Sequence, residues 1–242
     1  MRIDKLLANA GYGSRKDVKR LLKNKVVTVD DQIVEKPNIH VDPDRQTICV
    51  DGERVVYEKY IYLMLNKPQG YLSATFDHHA STVIDLVPDK YRHYQLAPVG
   101  RLDKNTEGFM LLTNDGVLNH IITSPKNNIY KTYLAKIAGE VTEKHREQFK
   151  KGIELDDKYI TRPAHLDINK SGEISEVLIS ICEGKFHQVK RMFQAVGMKV
   201  IYLKRIKIGD LTLDETLELG DSRLLNEEEM AYIYSLKQRR GD

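Results

Sequence analysis

Hydrophobic positions in the first sixty residues follow two different periods. Ile3, Leu6, Leu7 and Ala10 recur at i, i+3, i+4 and i+7, the spacing of one helix face, and "GYG" then breaks the pattern. Ser14, with Asp17 three positions on, has the form of a capping box that opens a second helix with Val18, Leu21 and Leu22 as its apolar stripe. "KVVTVDDQIVEKP" changes to the two-residue alternation of strands, turned back at Asp30-Asp31. "DGERVVYEKYIY" carries charges and few structural signals before Tyr60. That places a boundary near residue 58, with a small helix–turn–helix and sheet over residues 1–58 and a larger domain over 59–242.

In the larger part the two periods alternate irregularly. "YIYLMLNKPQGYLSAT" reads as two strands about a Lys67-Pro68-Gln69-Gly70 turn, and "GFMLLTND" as a short buried strand. Asp115-Gly116 leads that strand into a helix, "VLNHIIT". In "NNIYKTYLAKIAG" the alternation puts Lys131, Tyr133, Ala135 and Ile137 on one sheet face. "SEVLISICEG" is a further strand, followed by a helix with stripe Val189, Met192, Phe193 and Val196 that ends at Gly197. "KVIYLKRIKIGDLTL" returns to strand, and "NEEEMAYIYSLKQRR" is a capped terminal helix. Strands and helices do not alternate one for one, so the spacing predicts an α+β fold with a mixed, largely antiparallel sheet.

Composition adds less than pattern. A hydrophobic fraction of 41% is enough to bury a core, which argues against disorder. The net charge of +3 is too small to identify a partner, so the placement of cations matters more. In the second helix Lys16, Lys19, Arg20 and Lys23 fall at i, i+3, i+4 and i+7, away from the apolar stripe and almost unmixed with acids, with Arg15 just before them. Such a row suits a phosphate backbone, because each contact releases counterions. Two cysteines far apart make neither a disulfide framework nor a metal cluster. The N-terminal apolar positions are spaced rather than continuous, and no apolar run approaches the roughly 18 residues that span a bilayer. The expectation is a soluble, cytoplasmic protein.

Several chemistries lack their residues. The chain has no G-x-x-x-x-G-K-[ST] loop, no G-x-G-x-x-G, no H-E-x-x-H and no paired C-x-x-C. His78-His79 has no further ligands around it for a metal. Cys182 and His187 occur together in "CEGKFH", but a cysteine buried in a strand makes a poor nucleophile. Asp103 remains, in "GRLDKNTEG" between Arg101 and Lys104. Two flanking cations favour the ionised carboxylate, a poor general acid but a competent nucleophile or anionic base. The same cations suit RNA phosphates. A turn aspartate fits the loop as well, and the loop alone leaves both readings open.

Resemblance adds what spacing does not. "MRIDKLLANAGYGSRKDVKRLLKNKVVTVDDQIVEKP" resembles the RNA-binding module named after ribosomal protein S-four. "LNKPQGYLSAT", "GRLDKNTEGFMLLTNDG", "ITSPKNNIYKTYLA" and "EGKFHQVKRMFQAVG" occur in the order found in bacterial ribosomal-RNA pseudouridine synthases, most like the small-subunit type, the RsuA family. The resemblance implies that Asp103 is the catalytic aspartate, which breaks the bond between uracil and ribose before the base turns and rejoins through carbon 5. Whether it bonds to the sugar or takes a proton from it stays open. Tyr133 matches the tyrosine that stacks on the base and is implicated in the later deprotonation. Lys190 matches the basic partner of the aspartate, and Arg191 beside it either contacts phosphate or is solvated. The reaction is an isomerisation, so the resemblance implies no cofactor and no metal. The implied partner of this monomer is small-subunit 16S ribosomal RNA, naked or in an assembling particle, modified at uridine 516. The alternatives are a synthase for 23S RNA and a non-enzymatic RNA-binding assembly factor.

If the cationic row of the head meets phosphates, replacing Lys16, Lys19, Arg20 and Lys23 with glutamate weakens RNA binding. Each lost contact lowers the slope of log affinity against log salt by about 0.7 to 0.9. A salt titration giving the wild-type slope for the quadruple variant would show that the face is merely solvated.

Overall fold

The computed structural model describes residues 1–238. The chain forms two compact units, residues 1–61 with 88–96, and residues 62–87 with 97–242.

In the first unit, helices α1 (Ile3–Asn9) and α2 (Arg15–Lys23) bury Ile3, Leu6, Leu7, Val18 and Leu22 against a small sheet. The capping box at Ser14 is closed: its Oγ accepts the Asp17 amide at 3.3 Å, and Asp17 Oδ2 accepts the Ser14 amide at 3.0 Å. Arg15, Lys16, Lys19, Arg20 and Lys23 are all exposed. Strands β1 (Val27–Val29), β2 (Gln32–Ile33), β3 (Ile48–Val50) and β4 (Glu53–Arg54) stand in the order β2-β1-β3-β4. Asp30 and Asp31 both adopt left-handed φ, 49° and 64°, as a two-residue hairpin turn requires. "DGER", in the stretch with few structural signals, is a second hairpin: Asp51 and Gly52 turn with φ of 52° and 80° between β3 and β4. An Asp-Gly pair after a β-branched run was the available signal. Residues 88–96 add the short helix α3 (Asp89–Arg92).

The second unit is built on a nine-stranded sheet. Its strands are β5 (Tyr62–Lys67), β6 (Ala97–Pro98), β7 (Glu107–Thr113), β8 (Lys131–Ala138), β9 (His165–Lys170), β10 (Ile174–Ile181), β11 (Lys199–Ile208), β12 (Leu211–Thr212) and β13 (Ser222–Leu224). The main order is β13-β5-β7-β11-β8-β10-β9. Among the strand pairs of the described residues β7–β11 alone is parallel, so the sheet is mixed and largely antiparallel, as the spacing predicts. Helices α4 (Gly116–Thr123), α5 (Glu143–Lys151), α6 (Gln188–Ala195) and α7 (Glu227–Gln238) complete the unit. Asp115 caps α4, accepting the amides of Val117 and Leu118 at 3.1 Å. Asn226 and Glu229 cap α7 reciprocally; the expected extension to Arg239 and Arg240 lies outside the described residues. No helix among the described residues is long and apolar enough to cross a membrane.

Two expectations change here. The return strand after Gly70 does not form; Leu72 makes only an isolated parallel bridge to Thr82. Ser73 instead grips Leu102, accepting its amide at 2.9 Å and donating to its carbonyl at 2.7 Å, so this segment serves the Asp103 loop rather than the sheet. Helix α5 and strand β9 were not anticipated. Thr142 and His145 form a capping box for α5 and Phe149 is its one buried anchor, too little to show as a stripe.

One transverse row of the sheet positions the site. Lys67 on β5 stands opposite Gly108 on β7, Gly108 opposite Arg205 on β11, Arg205 opposite Tyr133 on β8, and Tyr133 opposite Ile179 on β10. Directly opposed residues share a face, so Lys67, Arg205 and Tyr133 point the same way. Gly108 sits in this row with φ of 101°, and a Cβ there would lie 2.2 Å from the Arg205 carbonyl oxygen. Gly108→Ala therefore destabilises the protein by more than about 2 kcal/mol in denaturant unfolding, through strain and backbone overlap together. Gly172→Ala, where a Cβ meets nothing within 4 Å, is the control with a change below about 0.5 kcal/mol. Equal stability of the two variants would remove this account of the β7–β11 contact.

Candidate active site

The loop from Gly100 to Thr106 joins β6 to β7 and carries Asp103. Its shape follows from buried hydrogen bonds that the local sequence does not advertise. Lys67, at the end of β5, is fully buried, and its ammonium reaches into the loop. Nζ donates to the carbonyls of Pro68 and Thr106 at 2.9 Å, and lies 3.3 Å and 3.5 Å from those of Asp103 and Lys104. Burial pushes this ammonium down to about 8, with Asp103 and Glu107 partly opposing the shift. The Gly70 amide donates to the Lys104 carbonyl at 2.8 Å, and the Thr106 amide closes the turn on the Asp103 carbonyl at 3.0 Å. Buried backbone groups that would otherwise go unpaired are thus satisfied from outside the loop, which fixes it without regular structure.

Asp103 projects from this loop onto a cavity of about 660 Å³, with Tyr133 and Lys190 also in the walls. Lys190 Nζ lies 2.9 Å from Asp103 Oδ2, and the two side chains are each 25% exposed. The same ammonium donates to Asn105 Oδ1 at 2.7 Å, which fixes the cation from a second side. A charge-assisted pair of this kind holds one carboxylate oxygen on the lysine and points the other, Oδ1, elsewhere. His187 Nε2 stands 3.6 Å from that oxygen, Oδ1. Helix α6 delivers Lys190 because Val189, Met192 and Phe193 bury its other face, so Lys190 turns to the cavity as its position off the stripe predicts.

Tyr133 is 9% exposed and lies on the buried face of β8. Behind it is Arg205, 2% exposed, whose Nε donates to the Phe109 carbonyl at 2.8 Å. Burial lowers the pKa of this guanidinium, and the neighbouring Tyr133 side chain opposes the shift. Lys131, on the same strand face, spends its ammonium on the carbonyls of Ile122 and Ile129 at 2.6 Å and 2.8 Å. Leu72, Leu102, Ile181, Val189 and Leu203 supply the apolar part of the wall. A flat ring, an apolar floor and one lysine-paired carboxylate suit a planar base attached to a sugar.

The other sequence-derived residues divide. Arg101 and Lys104 are exposed and border the cavity, but the cation on Asp103 is Lys190 rather than either of them. Arg191 faces away from the cavity lining: its guanidinium is paired with Asp156 and, at 2.8 Å, with Asp157. Its charge is therefore answered by protein carboxylates, an arrangement outside both roles the sequence allowed. Cys182 is buried just beyond β10, while His187 has turned to Asp103. Sequence reasoning missed Lys67, Ser73, Asn105, His187 and Arg205. "KPQG" and "DKN" contain two of them, Lys67 and Asn105, in plain view, but nothing local says that a lysine after an apolar strand is buried. Among the described residues no group of three or more His, Cys, Asp or Glu side chains converges as a metal site would need.

A loop carboxylate, a paired lysine and a buried tyrosine share the walls of this cavity, and comparison with known proteins gives the class of the protein. Residues 61–195 match the RNA pseudouridylate synthase family, and residues 1–46 match the S4 domain. The chain is 47% identical over 232 residues to an uncharacterized RNA pseudouridine synthase of Bacillus subtilis, covering 95% of this chain and 97% of that protein. It is 41% identical to ribosomal small subunit pseudouridine synthase A of Vibrio cholerae over 97% of this chain and all of that protein. The Escherichia coli protein of the same name is 40% identical over 96% of this chain. A crystal structure of a pseudouridylate synthase superposes with a TM-score of 0.67 at 36% identity, covering 98% of this chain and 99% of that one. The chain belongs to the RNA pseudouridylate synthase family. It is an enzyme, an RNA pseudouridine synthase with an N-terminal S4 domain.

Lys190→Met should abolish most turnover while leaving the fold intact, because the packing of α6 rests on Val189, Met192 and Phe193. Lys190→Arg keeps the charge but not its compact geometry, and retains a fraction of activity. Tritium release from 5-tritiated RNA with circular dichroism as a fold check measures both; a Met variant turning over at the wild-type rate removes Lys190 from the chemistry.

Proposed function

We propose that this protein isomerises one uridine of 16S ribosomal RNA to pseudouridine, with uridine 516 the expected position. The observation that carries the reading is the Asp103 carboxylate, paired with Lys190 at 2.9 Å and sharing a cavity wall with Tyr133. The glycosidic bond from uracil N1 to C1′ breaks, the base turns, and C5 joins C1′; the C5 proton leaves and N1 gains one. Atoms balance with no oxidant or reductant, so the chemistry asks for no cofactor. Asp103 acts on the sugar as nucleophile or as base, and both roles need its ionised form. Tyr133 stacks on the base and takes part in the later loss of the C5 proton.

The target nucleotide leaves its stack to reach such a cavity, at a cost of a few kcal/mol that contacts with the surrounding RNA offset. Residues 1–58, through Arg15, Lys16, Lys19, Arg20 and Lys23, provide one set of those contacts; Arg101 and Lys104 provide another at the cavity. Support for small-subunit RNA comes from the relatives named for it, which align with nearly the whole chain. The protein acts as a monomer in the cytoplasm, on naked RNA or on an assembling particle.

Asp103→Asn separates a catalytic from a structural aspartate. Asparagine keeps the size, the backbone turn to Thr106 and an acceptor for Lys190, whose ammonium also retains Asn105. The variant therefore folds with a stability change within about 1 kcal/mol, binds the same RNA and forms no pseudouridine. Pseudouridine made from 16S RNA by the freshly purified variant, with deamidation excluded by mass spectrometry, would overturn the assignment.

A further inference from the structure

The entrance of the cavity carries an apolar ring that the fold does not use. Phe186 borders the cavity yet is 76% exposed, although burial of so large an apolar side chain is favourable. One face of its ring is covered by the imidazole of His187, with centroids 3.8 Å apart and planes 19° apart. His187 precedes α6 in the left-handed region, φ 49°, sparsely populated by residues other than glycine. That turn sets the imidazole between two neighbours, the Phe186 ring on its face and Asp103 Oδ1, 3.6 Å from Nε2. The result is a stack of two flat rings that begins at the carboxylate and ends in solvent. Around the same entrance stand the cations Arg101, Lys104 and Lys185.

We propose that the Phe186–His187 stack is a docking platform for an RNA nucleobase flanking the target uridine: the open face of Phe186 takes the base, and His187 braces the platform against Asp103. The inference rests on the proposed reaction and deepens it by naming where a neighbouring nucleotide binds. An unstacked target leaves adjacent bases in need of a partner, and a planar aromatic accepts any base by its π-face. The cations at the entrance match the phosphates on either side of that nucleotide. A platform of this kind holds substrate and transition state alike, so it acts on KM rather than on kcat.

The chain contains no tryptophan, which gives a direct probe. Phe186→Trp places a sole indole at the platform, and its emission is quenched when 16S ribosomal RNA is added. Phe186→Ala raises KM about 5- to 150-fold, the range of one base–aromatic stack, with kcat held. Phe186→Leu, apolar but not flat, is as poor as alanine, and Phe186→Trp brings KM back toward the wild-type value. Wild-type KM in the Ala and Leu variants, or unchanged tryptophan emission at saturating RNA, overturns the platform. Failure of the reaction assignment looks different: the wild-type protein then leaves 16S RNA without pseudouridine, while the emission measurement still reports whether a base stacks at position 186.

Discussion

The Asp103 loop has no regular structure, yet it must hold one carboxylate in place at the edge of a cavity. What makes that possible is an ammonium buried where charge is costly. Lys67 Nζ gathers the carbonyls of Pro68 and Thr106, with those of Asp103 and Lys104 close by, and so ties the loop to the end of β5. Several hydrogen bonds to one cation offset its desolvation, and leaving such a group unpaired would cost several kcal/mol. The burial that pulls this lysine down to about 8 is the same burial that makes its hydrogen bonds strong.

Everything else at the site is arranged relative to that loop by the sheet. The parallel pairing of β7 with β11 brings the strand that follows the Asp103 loop beside the strand that follows α6. Helix α6 thereby presents Lys190 to Asp103 from 87 positions away in the chain. The register row through Lys67, Gly108, Arg205 and Tyr133 adds the tyrosine on the same face. Gly108 is the concession in this row, since its missing side chain lets the Arg205 backbone pass close by.

Charge is used in two ways in the catalytic unit. Lys67, Lys131 and Arg205 are buried and committed to backbone carbonyls, so they shape the site and are not available to RNA. Arg191 is committed to Asp156 and Asp157. The exposed Arg101, Lys104 and Lys185 remain around the cavity, where phosphate contacts fall in the proposed complex. A count of basic residues along the sequence cannot separate these groups, because the distinction is burial.

By itself the sequence determined the elements whose residues repeat. The capping box at Ser14, the Asp30-Asp31 hairpin, the alternation through Tyr133 and the stripe of α6 all appear where periodicity and turn chemistry put them, since those signals act over a few residues. The position of Lys190 off the α6 stripe was legible for the same reason, whereas the expected roles of Asp103 and Lys190 came from resemblance, since the loop alone left both readings of the aspartate open. Helix α5, with one buried anchor, and the hairpin at Asp51-Gly52 carried weaker local signals and were passed over. Only the tertiary structure decided that Lys67 is a buried support for the loop, that Arg101 and Lys104 leave the Asp103 carboxylate to Lys190, that Arg191 is taken by Asp156 and Asp157, and that Phe186 stands in solvent on a histidine that reaches Asp103. Each depends on which distant segment lies opposite, and that is set by strand register and burial, which no short stretch of chain contains.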